Sequence, residues 1–260
     1  MLLPGTFLCN RAKNHSICLA IKRSLRFLML LPNVAFQYYC PCIGFGPYGI
    51  GARLLASWNF KKMSETKVED ASGNGVPLLY FPGIKIQDGV MILGGSKFGA
   101  IFPDFGYDFN WGNGATIACW VKPYQMIVGA PIWEVKNSLD PSSSESIYLT
   151  LLLSDEDNFA VLDGSYLGRK SQLLTKTEIL ENVRTFMAVT VDGTHAAIYL
   201  DGEISNSGFF NIVLKKTSNN YIGSSYNREK PRFQGTMEDF RIFDRELTPP
   251  EVKQLYELGK

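Results

Sequence analysis

Hydrophobic and polar residues alternate through the last third of the chain as they do in β-strands. Two sets of residues fall on opposite faces of one strand: Phe186, Ala188 and Thr190 on one face, and Met187, Val189 and Val191 on the other. The turn-forming run Asp192-Gly193-Thr194 follows this strand, and Asp201-Gly202 follows the apolar residues 196–200. The pattern therefore predicts successive antiparallel hairpins.

Strand and turn signals extend from about residue 54 to about residue 243. Residues 54–60 alternate as a short strand, residues 68–75 have the composition of a loop, and residues 89–102 contain short strands separated by glycines. The segment 179–183 fits either a short turn or a loop before the next strand. Trp58, Trp120 and Trp133 lie in strand-like runs, so we expect them in the core.

A helix is indicated only at the end of the chain. Thr248 can cap it, Pro249 can take its first position, and Glu251 can reach back to the cap amide. The predicted helix has one apolar face, which consists of Val252, Leu255 and Tyr256. The fold class predicted is all-β, with a short C-terminal helix.

Charge divides the chain into a basic extension, residues 1–53, and an acidic domain, residues 54–260. Six of the 26 Lys and Arg residues and none of the 25 Asp and Glu residues lie in the extension, so it carries +6 and the remainder −5. An acidic domain disfavours a phosphate-binding surface, so nucleic acid is excluded as a partner. With 13% aromatic residues, the domain has enough apolar material for a sizeable core.

The extension itself allows three interpretations, and we expect it to be poorly ordered. Its apolar run at 27–31 resembles a signal sequence but is short of the roughly 7 to 15 residues expected. Scattered Arg and missing acids also suit an organellar transit peptide, and an inaccurate gene start is the third interpretation. Basic residues interrupt the one candidate membrane span.

Cysteine use excludes a domain built on disulfides. Four of the five cysteines lie in the extension, and the spacing of Cys40 and Cys42 is too tight for a CxxC metal or redox motif. Cys119 is the one cysteine of the domain, and its apolar surroundings predict a buried free thiol.

The ordered motifs from residue 54 to 260 resemble the laminin-G-like (LamG type 3, pentraxin-like) domains of the concanavalin A-like lectin/glucanase superfamily. No single motif is specific, but their order and spacing together are. The matching segments are residues 54–60, 70–75, 115–123, 199–202, 221–223, 233–243 and 245–252. The resemblance implies a jelly-roll sandwich of two curved antiparallel sheets, usually extracellular, that binds glycans or proteins.

Many domains of this family carry one structural calcium ion, and oxygen-rich loops suit that cation. By the resemblance, Asp70, Glu238 and Asp239 are the candidate ligands, because the first and last strands of such folds lie side by side. Glu238 stands where the family more often has Asp, which lengthens the ligand arm.

Aromatic residues in polar loops are the remaining sign of binding, since sugar rings stack their C–H faces on aromatic rings. The candidates lie among Gly, Asn and Ser residues: Trp111, Tyr124, Tyr166 and Tyr226, with Asn113 and Asn227 as polar companions.

Motifs for catalysis are missing from the sequence, which predicts that the protein is not an enzyme. The superfamily's glucanases carry a Glu-x-Asp-x-x-Glu run, and none occurs here. The acidic residues 155–157 fit a turn, and His195, the one histidine of the domain, lies in a hairpin turn without a nucleophile motif.

Three functions are therefore compared. The first is a non-catalytic module that binds carbohydrate on a cell surface or matrix. The alternative is a protein-interaction or adhesion domain of the same fold, and the third is an unusual glycoside hydrolase that depends on Glu156. The sequence leaves the ligand and the oligomeric state undetermined.

Overall fold

The computed structural model describes residues 53–94, 99–105, 114–137, 148–154, 158–166, 168–212, 217 and 219–260. Its strands and helix, in chain order, are β1 (Leu54–Trp58), β2 (Lys67–Val68), β3 (Leu78–Tyr80), β4 (Lys85–Gln87), β5 (Val90–Leu93), β6 (Ala100–Phe102), β7 (Ala115–Pro123), β8 (Pro131–Lys136), β9 (Tyr148–Leu153), β10 (Ala160–Tyr166), β11 (Arg169–Leu174), β12 (Thr185–Val191), β13 (His195–Leu200), β14 (Glu203–Phe209), β15 (Asn219–Ile222), β16 (Gly235–Phe243) and α1 (Pro249–Gly259).

The strands form two antiparallel sheets. Sheet A has the order β14-β13-β12-β7-β16-β5-β4, and β1 also pairs with β16. Sheet B has the order β11-β10-β9-β8-β15-β6-β3-β2. The predicted all-β sandwich with a C-terminal helix is confirmed.

Tight turns of the predicted type join the hairpins. Asp201 and Gly202 have φ values of 49° and 83°, the left-handed values that a two-residue hairpin turn needs. In the preceding hairpin, the Asp192 carboxylate accepts hydrogen bonds from the backbone N–H groups of Thr194 at 2.8 Å and His195 at 2.7 Å. The sequence identified both turns because Asp and Gly are the residues that such turns favour.

The main core fills the space between the sheets. Trp58 is fully buried there, with its ring centroid 5.6 Å from that of Phe102 in sheet B and 5.9 Å from that of Phe240 in sheet A. Trp133 lies in the same core, as predicted, and Cys119 is a fully buried free thiol whose pKa is raised by burial.

A second apolar cluster lies on the outer face of sheet A, beneath α1. Alternation on β12 sends Met187 to the main core and Phe186 to this second cluster. Trp120 is buried here and stacks on Tyr256 of the helix, with ring centroids 5.5 Å apart. The prediction that Trp120 is buried is confirmed, although its partner is the helix rather than the opposite sheet.

The start of α1 has the predicted capping arrangement. Glu251 accepts hydrogen bonds from the backbone N–H and the hydroxyl of Thr248, each at 2.9 Å. Arg245 also donates to both carboxylate oxygens of Glu251, at 2.8 and 2.7 Å. These interactions lower the pKa of Glu251 to about 2, mainly through Arg245.

The segment 179–183 contains the short turn that the sequence left open: residues 181–182 form it, and the N–H of Val183 donates to the carbonyl of Leu180 at 3.3 Å. Ile179 of this segment is buried in the main core. No helix within the described ranges is long and apolar enough to cross a membrane.

Candidate functional site

The outer face of sheet B carries polar and aromatic residues on three adjacent strands. On β8, Trp133 faces the core, so Glu134 and Lys136 project from the opposite face. Glu134 lies opposite Tyr221 of β15, and Lys136 lies opposite Tyr148 of β9. Cross-strand neighbours on one face are close enough to act together.

The segment from Gly223 to Phe233 closes into a loop over this face. Its ends meet, because the N–H of Phe233 donates to the carbonyl of Gly223 at 3.1 Å, and the N–H of Gly223 donates to that of Ile132 at 2.8 Å. The Phe233 side chain is buried in the core and anchors the loop. Compact loops with adjoining ends are frequently functional. We call this segment the 223–233 loop.

One buried carboxylate holds the loop against the sheet. The side chain of Glu134 is only 4% exposed. It accepts hydrogen bonds from the Ser225 hydroxyl at 2.8 and 2.9 Å, from the Tyr226 N–H at 3.0 Å and from the Lys230 ammonium at 3.3 Å. A buried carboxylate is tolerated only when such partners replace its water. The loop and the carboxylate are therefore mutually dependent.

Three tyrosines and two lysines surround this carboxylate. The ring centroids of Tyr221 and Tyr226 are 6.5 Å apart. The Lys136 ammonium lies 5.6 Å from the Tyr226 centroid, and the Lys230 ammonium lies 5.8 Å from the Tyr148 centroid. We call the whole arrangement the Glu134 site; it consists of Glu134, Lys136, Tyr148, Tyr221, Tyr226 and Lys230.

The phenols of Tyr148 and Tyr221 stay neutral at physiological pH, because the pKa of each is raised. Burial is the main cause that raises the pKa of Tyr148, and the neighbouring Asp163 carboxylate raises it further. Burial likewise raises the pKa of Tyr221, with Tyr226 as the next cause. Neutral phenols both donate and accept hydrogen bonds, as ligands rich in hydroxyl groups require.

A second carboxylate extends the polar surface beyond β9. Asp163 of β10 lies opposite Thr150, which in turn lies opposite Glu134. The Tyr148 hydroxyl donates to Asp163 at 2.9 Å, and the Gln172 amide donates at 3.1 Å. The outer face of sheet B therefore presents acceptors and donors across four strands.

Among the sequence-predicted binding residues that the structure describes, Tyr124, Tyr166 and Tyr226 lie on three different segments. Tyr226 belongs to the Glu134 site, and Asn227 follows it in the 223–233 loop, where its side chain accepts a hydrogen bond from the N–H of Glu229 at 3.0 Å. Tyr166 is the last residue of β10, paired with Arg169, rather than a loop residue. Tyr124 is exposed in the β7–β8 connection. Trp111 and Asn113 lie outside the described residues, as does the acidic run 155–157 with Glu156.

The carboxylate of Asp70, the first predicted calcium ligand, accepts hydrogen bonds from its own loop and from β1. Its carboxylate accepts hydrogen bonds from the N–H groups of Ser57, Ser72 and Val76, and from the Ser72 hydroxyl at 2.7 Å. Burial alone would raise the pKa of Asp70, but these hydrogen bonds outweigh it, and the pKa lies below the usual value.

Glu238 and Asp239 are each paired with an arginine. Arg184 donates to both carboxylate oxygens of Glu238, and Arg241 donates to both of Asp239. Asp239 lies in a bulge of β16 with a φ of 50°. Within the described ranges, no three His, Cys, Asp or Glu side chains are grouped so that they can hold a metal. As they stand, the three carboxylates do not fit a calcium site, and calcium binding stays a prediction.

Sequence reasoning missed five residues of the Glu134 site. Alternation with Trp133 and Val135 does indicate that Glu134 and Lys136 leave the core face. The alternation does not indicate which loop contacts Glu134 and Lys136. Ser225 and Lys230 are about 90 residues away in the chain, and only the pairing of β8 with β15 brings them close.

Two antiparallel sheets packed face to face, with a loop-covered polar face, define the chain as a β-sandwich of the lectin-like class. Residues 94–253 match the laminin G type 3 family model of the concanavalin A-like lectin/glucanases superfamily. The match covers more than half of the chain, which therefore belongs to this family. No curated protein sequence matches the chain.

Several solved structures have the same fold. The receptor binding domain of botulinum neurotoxin D has a TM-score of 0.64 and 15% identity, over 81% of this chain and 54% of that chain. The binding domain of Paraclostridial Mosquitocidal Protein 1 has a TM-score of 0.63 and 20% identity, over 81% and 53%. The present chain thus spans about half the length of these toxin domains.

A third similar structure matches over nearly its whole length. It is domain 4 of AbnA, a GH43 extracellular arabinanase from Geobacillus stearothermophilus, in complex with arabinotriose. The TM-score is 0.62 and the identity 21%, over 78% of this chain and 98% of that domain. At these identities the likeness shows the fold alone.

Proposed function

We propose that the protein is a non-catalytic recognition module that binds carbohydrate outside the cell, on a cell surface or matrix, through the Glu134 site. The observation that carries this proposal is the buried Glu134 carboxylate, which fixes the 223–233 loop over a sheet face rich in tyrosine. A fixed loop lowers the entropic cost of binding, because the binding groups are ordered before the ligand arrives.

The chemistry of the site suits a sugar. Tyrosine rings offer faces for the C–H surface of a pyranose or furanose ring. The ammonium group of Lys230 and the phenols of Tyr148 and Tyr221 supply hydrogen bonds for hydroxyl groups beside those rings. Sites of this kind combine apolar contact for affinity with a few polar groups for orientation.

Similar structures support the proposal without deciding it. The AbnA domain holds an arabinose oligosaccharide, and its enzyme is described as extracellular. The two toxin structures are described as binding domains. These descriptions favour recognition over catalysis, and a location outside the cell, for a chain of this fold.

The partners of the two carboxylates on this face, Glu134 and Asp163, support binding without catalysis. Glu134 is held by Ser225, Tyr226 and Lys230, while Asp163 accepts hydrogen bonds from Tyr148 and Gln172. A glycosidase needs one carboxylic acid that protonates the leaving oxygen and a second carboxylate that acts as nucleophile or base. Both acids here serve the architecture of the site.

A glycan array followed by calorimetry tests the proposal on the full chain. We expect Tyr226→Ala to weaken binding of the best sugar roughly tenfold or more, since stacked aromatic side chains dominate such sites. Tyr124→Ala is the matched control, because Tyr124 is an exposed tyrosine on a different loop, and we expect it to bind as the wild type does. A folded protein that binds no sugar contradicts the proposal. Loss through Tyr124→Ala alone would move the site to that loop.

Protein interaction is the second candidate function, and one apolar surface favours it. Four large apolar side chains, each more than two fifths exposed, lie on the β7–β8 and β11–β12 connections: Tyr124, Val128, Leu180 and Val183. Hydrogen bonds join the two connections, from the N–H of Asn182 to the carbonyl of Pro123 at 2.7 Å and from that of Met126 to Glu181 at 2.8 Å. Exposed apolar patches of this kind mark interaction sites.

One pair of substitutions distinguishes sugar binding at the Glu134 site from protein binding at the apolar surface. If proteins of a cell surface or matrix bind at the apolar surface, Val128→Asp with Leu180→Asp removes their binding and leaves sugar binding intact. If the Glu134 site is the functional one, the same substitutions leave sugar binding unchanged and Tyr226→Ala removes it.

A further inference from the structure

We infer that the Glu134 site selects sugars that carry an anionic group, a carboxylate or a sulfate, and that Lys136 binds this group. This inference rests on the proposed function, because it names the class of sugar that the same site takes.

Lys136 is largely buried beside the tyrosines. The residue is 9% exposed, and it lies on the outer face of β8 between β9 and β15, opposite Tyr148. Its ammonium group lies 5.6 Å from the centroid of the Tyr226 ring. The aliphatic stem is thus packed in the sheet face while the charged end reaches the tyrosines of the site.

The charge of Lys136 has no anionic partner among the described residues. The other lysines that lie close to carboxylates are paired: Lys230 with Glu134 at 3.3 Å, Lys253 with Glu203 at 2.6 Å and Lys260 with Glu257 at 3.1 Å. Lys136 has the ring of Tyr226 instead. A cation withdrawn from water gains most from an anion that replaces the lost hydration.

Glu134 is the carboxylate closest to Lys136 along β8, but it accepts its hydrogen bonds from other donors. The two residues are on the same face of β8, but the Glu134 carboxylate accepts hydrogen bonds from Ser225, Tyr226 and Lys230. Asp163 is held by Tyr148 and Gln172. Lys230 offsets the charge of Glu134, and the donors to Asp163 are neutral, so neither carboxylate forms an ion pair with the Lys136 ammonium.

A third basic side chain lies near the tyrosines of the site. Arg228, in the 223–233 loop, lies close enough to Tyr221 to lower the pKa of its phenol, against the larger effect of burial. An anionic substituent that reaches the Lys136 ammonium past the Tyr226 ring meets a cation that forms no ion pair with a described carboxylate. Charge-assisted hydrogen bonds from an ammonium to a carboxylate or sulfate are shorter and stronger than neutral ones.

Calorimetry with matched sugar pairs tests this inference on the full chain. The pairs are 3′-sialyllactose with lactose, oligogalacturonate with its methyl ester, and a sulfated heparin fragment with its desulfated form. We expect the anionic member of at least one pair to bind roughly tenfold more tightly at low salt, as one charge-assisted hydrogen bond provides. Raising the salt concentration reduces this preference, because salt ions screen the charge of the free sugar and weaken its attraction to the site. The pairs themselves distinguish carboxylate from sulfate.

Substitutions of Lys136 tie the preference to this residue. We expect Lys136→Met, which keeps the stem and removes the charge, to abolish the preference, so that the anionic and the neutral member of the pair bind with the same affinity. Lys136→Arg retains most of the preference, and Lys85→Met, at an exposed lysine of sheet A, retains all of it. Circular dichroism and thermal melting of each variant verify that it is folded.

The outcomes separate the inference from the proposed function. Equal affinity for anionic and neutral sugars, with binding still lost in Tyr226→Ala, overturns the inference and leaves the function standing. A preference that survives in Lys136→Met also overturns it, since the anion then binds elsewhere. A folded chain that binds neither member of any pair contradicts the proposed function itself.

Discussion

The two sheets of the sandwich are covered on their outer faces in different ways. On sheet A, α1 packs on Trp120 and Phe186 through apolar contact. On sheet B, the 223–233 loop is held by hydrogen bonds to the single carboxylate of Glu134. The first face is closed by the hydrophobic effect, which has no direction; the second is closed by polar contacts, which have strict geometry.

This difference bears on which of the two faces can hold the proposed binding site. The indole N–H of Trp120 is buried without a hydrogen-bond partner in the described part of the chain, so this cover depends on packing and the Arg184 guanidinium over the ring. The loop over sheet B leaves tyrosines and a lysine at its margin. An apolar helix buries the side chains of the face that it covers. A loop held by one polar anchor covers less of its face, and the neighbouring tyrosines and the lysine can still contact a ligand.

The largest effect is expected from Trp120→Ala, which removes the centre of the apolar cover. Such a substitution costs about 3 to 5 kcal/mol through lost burial and the remaining cavity. Phe209→Ala is the control, since that ring is 72% exposed, and we expect a change within about 0.5 kcal/mol. Denaturant unfolding measures both. A small effect for Trp120→Ala would show that α1 is only loosely attached.

Glu134→Gln is expected to have the next largest effect, about 1 to 3 kcal/mol, because it weakens the buried acceptor of three donors. The change is local, so hydrogen exchange at the Tyr226 amide should accelerate while amides of β7 keep their protection. Glu203→Gln, at a carboxylate that is 76% exposed, is the control and should be nearly neutral. Unchanged exchange at Tyr226 would argue against Glu134 as the anchor of the loop.

Acid should loosen the helix through Glu251. Its pKa of about 2 lies below the ordinary 4.5, so its contribution to stability is complete above about pH 4.5 and is lost as the pH falls toward 2. Glu251→Gln can keep the cap but loses the charged pairing with Arg245, so it should cost up to about 1 kcal/mol at pH 7 and should flatten the stability profile in that pH window. Unfolding curves at pH 7, 4, 3 and 2 measure this. Identical pH dependence in both proteins would contradict the assignment.

Calcium is expected to have the smallest effect. Binding through Glu238 would have to take this carboxylate from Arg184, whose guanidinium carbon lies 3.6 Å from the Trp120 ring centroid. We therefore expect millimolar calcium to change the melting temperature by less than about 2 °C, which corresponds to under about 1 kcal/mol for a chain of this size. A larger rise that chelator reverses and Asp70→Ala removes would establish the predicted calcium site instead.

The sequence predicts a structural feature well when the residues that determine it are neighbours in the chain. The Asp201-Gly202 turn and the cap at Thr248 are chosen by residues within a few positions, and both were predicted correctly. Tyr226 was predicted as a binding residue from its local polar context, and this role stays a prediction. Glu134 was not, because a charged residue in a strand looks locally like any solvent-facing position.

The sequence by itself determined the fold class, the family and the closing helix, since alternation, turn residues and caps are local and recur in a fixed order. Only the tertiary structure decided which face each helix or loop covers, and that Lys136, Tyr148 and Tyr226 surround one carboxylate. The physical reason is that strand pairing joins residues about 90 positions apart, and that partners at such distances leave no periodic trace in the chain.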